Sequence, residues 1–144
     1  MDFRKINNLK ELKNLSFELA QTIKIPQIVL LKGELAVGKT QLVKYMLENL
    51  GREGKEVKSP TFSLINSYFQ KNKFDIHHVD LYRIRFDQEL HEIAFWDLFY
   101  TKSLIFIEWP EKVEKQLPFL WNKLLIKGEF SKNKEERIFK WKTL

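Results

Sequence analysis

A single three-layer α/β domain over residues 1–144 is expected, with a mostly parallel central sheet and antiparallel strands added from the C-terminal third. Two continuous apolar runs, 28–31 and 104–107, have the length and composition of strands buried on both faces. Between and around them lie stretches of helical spacing, the alternation from which parallel sheets are built. A chain of 144 residues with 44% hydrophobic and 31% charged residues has material for one core and no second domain.

Taken in order, Asn8-Leu-Lys-Glu11 has the form of a capping box. Leu9, Leu12, Leu15, Leu19, Ala20 and Ile23 then recur on one helical face, predicting an amphipathic helix of about four turns. After Pro26 comes the first buried strand, then a glycine-bounded break from Gly33 to Gly38. Helical spacing returns through Leu42, Tyr45, Met46 and Leu50, with Gly51 as the stop. Residues 51–59 are glycine and charge, a surface loop. Two neighbouring strands are predicted over 62–69 and 76–82, joined by the polar turn 70–73. Residues 86–100 carry a helical pattern rich in aromatics, and 103–108 form the second buried strand, closed by Trp109-Pro110. Two final β-like runs, 123–130 and 137–141, flank the polar turn 131–136.

Composition removes several functional classes. The chain has no cysteine, hence no disulfide framework and no thiolate metal site. No apolar run approaches the roughly 18 residues of a membrane-spanning helix, and Met-Asp-Phe-Arg-Lys lacks the apolar stretch of a secretory signal. A cytosolic location is the default expectation. Net charge is +6, and residues 112–144 hold nine Lys or Arg against four Glu. That basic third reads first as a lysine-rich solubilising surface, because 20 of the 25 basic residues are Lys and Arg is the preferred bidentate phosphate reader.

The chemistry concentrates in Gly33-Glu-Leu-Ala-Val-Gly-Lys-Thr40, which fits G-x-x-x-x-G-K-[ST] and lies between a buried strand and a helix start, as a P-loop must. A P-loop NTPase-like fold follows. Backbone N–H groups of such a loop point at phosphate oxygens, and the helix behind it adds the positive end of its dipole. Lys39 would neutralise the β and γ phosphates of ATP, and the Thr40 hydroxyl would be one ligand of Mg²⁺. The nucleotide-contacting set is Gly33, Glu34, Leu35, Ala36, Val37, Gly38, Lys39, Thr40 and Gln41. Ala36 stands where many such loops have glycine, so its backbone is either ordinary or strained at positive φ.

Hydrolysis needs carboxylates as well. Glu108 ends the second buried strand, at the carboxyl edge where open α/β sheets bind ligands, and is the first choice for the metal-binding acid. Asp80 is the second acid; alternation puts His78, Asp80 and Tyr82 on one strand face. An acid on an edge strand also often meets only solvent or arginine. Thr61, in Ser59-Pro-Thr-Phe62, is placed to close over the γ-phosphate, or else simply begins a strand. Two apparent motifs are set aside. Asn72-Lys-Phe-Asp75 spells a guanine-reading N-K-x-D in a turn, in the wrong order and without any D-x-x-G. His77 and His78 are adjacent in a strand, point to opposite faces and cannot share one ion.

The P-loop, Val57-Lys-Ser-Pro-Thr-Phe62, His78-Val-Asp-Leu-Tyr-Arg83 and Ile107-Glu-Trp-Pro-Glu111, in that order and spacing, resemble the TsaE (YjeE) family across nearly the whole chain. That resemblance implies a P-loop ATPase needed in bacteria for threonylcarbamoyladenosine synthesis on tRNA next to the anticodon. It implies that Thr40 and Glu108 hold Mg²⁺, that Asp80 is essential for turnover, that Thr61 sits near the γ-phosphate and Trp109 near the nucleotide, and, more weakly, that Arg137 is a C-terminal nucleotide contact. The implied partners are TsaB and TsaD, with tRNA met through their complex and ATP turnover resetting it. The chain departs from the family at Glu34, Ala36 and Val37 in the loop, at Leu12 where the first helix usually offers a threonine, and at Ala94, where a glycine is common and a packing change is expected. With few arginines for an internal finger, turnover is expected to be slow. Two other functions fit a bare P-loop: a small-molecule kinase, and a nucleotide-gated module whose basic third binds RNA.

Overall fold

The computed structural model describes residues 1–52, 64–69, 73–132 and 134–144. Seven strands form one sheet in the order β1-β7-β6-β2-β5-β4-β3. The strands are β1 (Asp2–Ile6), β2 (Gln27–Gly33), β3 (Ile65–Tyr68), β4 (Ile76–Asp80), β5 (Leu104–Glu108), β6 (Asn122–Phe130) and β7 (Arg137–Thr143). The centre, β6-β2-β5-β4, is parallel, and antiparallel strands close both sides.

Helices α1 (Leu9–Ala20) and α2 (Lys39–Asn49) cover one face, burying Leu12, Leu15, Leu42 and Met46 against Val29, Leu31 and Phe106. On the other face, α3 (Asp87–Glu92), the 3-10 turn Phe95–Phe99 and the segment carrying Val113 and Leu117 bury Ile28, Leu30, Ile105 and Ile107. The runs 28–31 of β2 and 104–107 of β5 are apolar because both their faces are covered.

Local signals act as read. The Asn8 side chain accepts from the Glu11 N–H at 3.0 Å, and Glu11 reaches back to the Asn7 N–H at 2.8 Å, one residue earlier than in the standard box. The helix is three turns rather than four, since Gln21 ends it before Ile23. Gly51, at φ 79°, closes α2 by donating to Glu48 O while Arg52 donates to Leu47 O, a Schellman motif.

Strands β6 and β7 of the C-terminal third pair antiparallel, as expected, while the other side of β6 runs parallel to β2 because residues 109–121 cross back over the sheet. Two features differ from the sequence reading. Strand β1 was not foreseen; it is an edge strand that bears charge and pairs with β7. The helix expected over 86–100 breaks at Ala94, which takes φ 53°, so the residue that replaces a common glycine marks a left-handed backbone position rather than a change in packing.

Candidate functional site

The end of β2 and the start of α2 define the site. Gly33 has φ 128°, and a Cβ there would lie 2.1 Å from the Gly128 carbonyl oxygen on β6, so only glycine lets the two strands approach. Val37 is fully buried and anchors the loop inward, while Glu34, Leu35 and Ala36 stand exposed. Ala36 adopts φ 63°, the strained alternative of the two its side chain allowed. Gly38, at φ 109°, precedes α2 with no side-chain cap, which leaves the first-turn N–H groups for an anion.

Lys39 is 4% exposed and folds back on the loop, donating to the Gly33 carbonyl at 2.7 Å and the Glu34 carbonyl at 2.8 Å. Its ammonium also lies 4.2 Å from the centre of the Trp109 ring, which is held at φ 59° beside Tyr82. Burial lowers the Lys39 pKa, against the pull of Glu108, Asp80 and Glu111.

The parallel register of β4 and β5 sets Asp80 directly beside Glu108, which brings the two acids into one row opposite the loop. The Thr40 hydroxyl donates to Glu108 Oε1 at 2.8 Å, and His78 Nε2 meets the same oxygen at 2.8 Å. Asp80 Oδ1 accepts the Tyr82 N–H at 2.9 Å; burial, seconded by Glu108, raises its pKa, and that hydrogen bond opposes the rise. Lys112, just beyond Glu108, donates to the Leu81, Tyr82 and Ile84 carbonyls and ties the loop after Asp80 to the segment after Glu108.

These groups open onto a cavity of about 450 Å³ lined by Leu35, Ala36, Gly38, Lys39, Thr40, Gln41, Asp80, Glu108 and Trp109. On the other side of Ala36, Gly38 and Gln41 lies a second hollow of about 310 Å³, lined also by Ile6, Asn8, Leu9, Leu12 and Arg137. Arg137 Nε is buried there without a partner among the described residues. The loop thus stands between two hollows of ligand size. Thr61 lies outside the described residues, as do residues 70–72 with the decoy Asn72. His77 and His78 do face opposite ways: His77 Nδ1 meets Ser67 Oγ at 2.8 Å, across the sheet from the site. Sequence reasoning did not assign site roles to Lys44, Leu64, Tyr82 and Arg83, which line the larger cavity, or to His78. The alternation that placed Asp80 had already placed His78 and Tyr82 on its face.

The model of the family "Threonylcarbamoyl adenosine biosynthesis protein TsaE" matches residues 6–139, which include every part of this arrangement. The chain belongs to the TsaE family. Among tRNA threonylcarbamoyladenosine biosynthesis proteins TsaE, that of Rickettsia felis is 38% identical over 112 residues, 78% of this chain and 64% of the relative. The one from Haemophilus influenzae is 43% identical over 91 residues, 63% of this chain and 56% of its own length. The chain therefore spans between about half and two thirds of the length of these relatives. A crystal structure of Bacillus subtilis YdiB superposes with a TM-score of 0.70 at 25% identity, covering 99% of this chain and 84% of that one. The family match and the superposition agree with the three-layer α/β fold and its mostly parallel central sheet.

The donor set fits a hard divalent cation. A hydroxyl and a carboxylate from two different elements already touch, and oxygen ligands from one or two protein groups, completed by phosphate and water, are what Mg²⁺ takes. Among the described residues no cluster of three His, Asp or Glu offers a competing metal site.

Proposed function

We propose that this chain is the Mg²⁺-dependent, ATP-hydrolysing subunit of a tRNA threonylcarbamoyladenosine system, acting with TsaB and TsaD and meeting tRNA through their complex. One observation carries the reading: Thr40 and Glu108 touch at 2.8 Å, next to the P-loop lysine and in the same register row as a second acid. The N–H groups of residues 34–40 bind the phosphates. Lys39 exchanges the two loop carbonyls for phosphate oxygens, moving within a pocket whose wall is Trp109. Thr40 and Glu108 hold Mg²⁺, which when bound spreads the charge that develops on the phosphates.

Glu108 is engaged by Thr40 and His78, whereas Asp80 lines the cavity with one oxygen on the Tyr82 N–H. Asp80 is therefore assigned the attacking water. That water adds to the γ-phosphorus, the bond to the bridging oxygen breaks, and ADP and inorganic phosphate leave. Arg137 and the smaller hollow receive the nucleoside end. The basic third does not favour direct RNA docking: Lys127 and Lys140 pair with Glu129, and Lys123 is spent on the Pro118, Phe119 and Trp121 carbonyls. The test is phosphate release from ATP, with and without TsaB and TsaD, for the native chain and Glu108→Ala. Stimulation by the partners and loss in the variant are expected. A rate indifferent to both, or a phosphorylated small molecule as product, would overturn the assignment.

A further inference from the structure

His78 is fully buried on β4, two residues before Asp80 and on the same face, next to Phe106 across the sheet. Its Nε2 lies 2.8 Å from Glu108 Oε1. An ionised carboxylate only accepts, so the ring presents Nε2–H to it. The other ring nitrogen, Nδ1, is buried with no partner among the described residues. A histidine kept for packing alone would be a poor choice here, since an apolar ring or an aliphatic side chain leaves no nitrogen unanswered. Among the described residues the one polar bond that the buried ring makes is to Glu108.

Glu108 Oε1 accepts from two donors of different kinds. Thr40 is itself a metal-side group, and its hydroxyl must turn when it takes another partner. His78 stands behind the carboxylate, and its backbone is fixed in the sheet. We infer that His78 is a positioning residue: its Nε2–H pins one oxygen of Glu108, so that the carboxylate keeps its orientation towards the loop when Thr40 lets go. This rests on the nucleotide and Mg²⁺ reading above, and it concerns how the acid is held rather than which ligand arrives. Groups that orient a metal-binding carboxylate from behind change metal affinity by about 10–100-fold when removed.

The experiment compares the native chain with His78→Gln, His78→Asn and His78→Leu. Gln carries an amide N–H out to about the reach of Nε2, Asn falls short of Glu108, and Leu removes the donor. ADP affinity is measured by calorimetry in EDTA and across a Mg²⁺ series, with thermal melts alongside. The Mg²⁺ concentration for half-maximal enhancement should rise roughly 10–100-fold in Asn and Leu. It should return towards the native value in Gln, and Mg²⁺-free ADP affinity should stay unchanged in all three. If Leu does not fold, the Gln and Asn pair decides, since both bury an amide and differ only in reach. Native Mg²⁺ dependence in Asn, a Gln variant as weak as Asn, or equal losses with and without Mg²⁺ would each overturn the positioning role. If the native chain binds ADP and Mg²⁺ has no influence, the underlying metal reading fails first and takes this role with it.

Discussion

Replacing Gly33 by alanine tests how the loop is seated. Gly33 pairs with Gly128 across β2 and β6, and a Cβ at Gly33 would lie 2.1 Å from the Gly128 oxygen. Two carbonyl-bearing backbones would have to separate by roughly 1 Å to restore ordinary contact. Overfilling of this kind costs about 1–3 kcal/mol, and a side chain at positive φ adds about 1–2 kcal/mol. The total, about 2–5 kcal/mol, corresponds at about 3 °C per kcal/mol for a chain of this size to a fall in Tm of roughly 6–15 °C. Gly51→Ala is the control. It also sits at positive φ, yet among the described residues its Cβ would meet only the far end of the Lys73 side chain, 3.2 Å away. It should lose about 1–2 kcal/mol, the backbone part alone. Thermal and urea unfolding of both variants measure the difference. Equal destabilisation would show that the glycine–glycine strand contact is not what holds the loop.

Burial and Glu108 raise the Asp80 pKa above its unfolded value, so ionised Asp80 opposes folding at neutral pH. Asp80→Asn should therefore melt above the native chain at pH 7, with the gain shrinking as pH falls through the raised folded pKa and vanishing below the unfolded value of about 3.9, while ATP turnover is lost; melts from pH 4 to 8 check the sign. Ala94→Gly should be neutral to about 1 kcal/mol stabilising, because relief at φ 53° competes with the added freedom of the unfolded chain. A loss of several degrees in Tm would contradict the left-handed assignment.

What the sequence conveyed best was whatever local chemistry fixes alone. The P-loop pattern, the two runs of buried strand, the Asn8 cap and the Gly51 stop each need only neighbouring residues. Asp80 and Glu108 were legible as strand-end acids, but their adjacency is a matter of register between β4 and β5, which no local pattern reports. Strand β1 was invisible because one partner and one buried residue, Ile6, leave little alternation to read. The direction of β6 depends on the path of residues 109–121, whose short 3-10 turns carry no periodicity. At Ala94 the apolar spacing continues through the break, so the pattern could not mark it. The opposite facing of His77 and His78 was legible from strand alternation, whereas the bond of His78 to Glu108 follows from a side chain reaching across to the neighbouring strand.

The central claim is that Lys39 and the loop amides hold a nucleotide's phosphates beside the Thr40 and Glu108 pair. Calorimetric titration of the native chain and Lys39→Ala with ADP and a non-hydrolysable ATP analogue, in Mg²⁺, addresses it. Saturable binding by the native chain, lost or weakened at least about tenfold in Lys39→Ala, is predicted, since charge-assisted hydrogen bonds contribute about 1.5–3 kcal/mol. Equal affinity in the two proteins, or no heat from either, would contradict it.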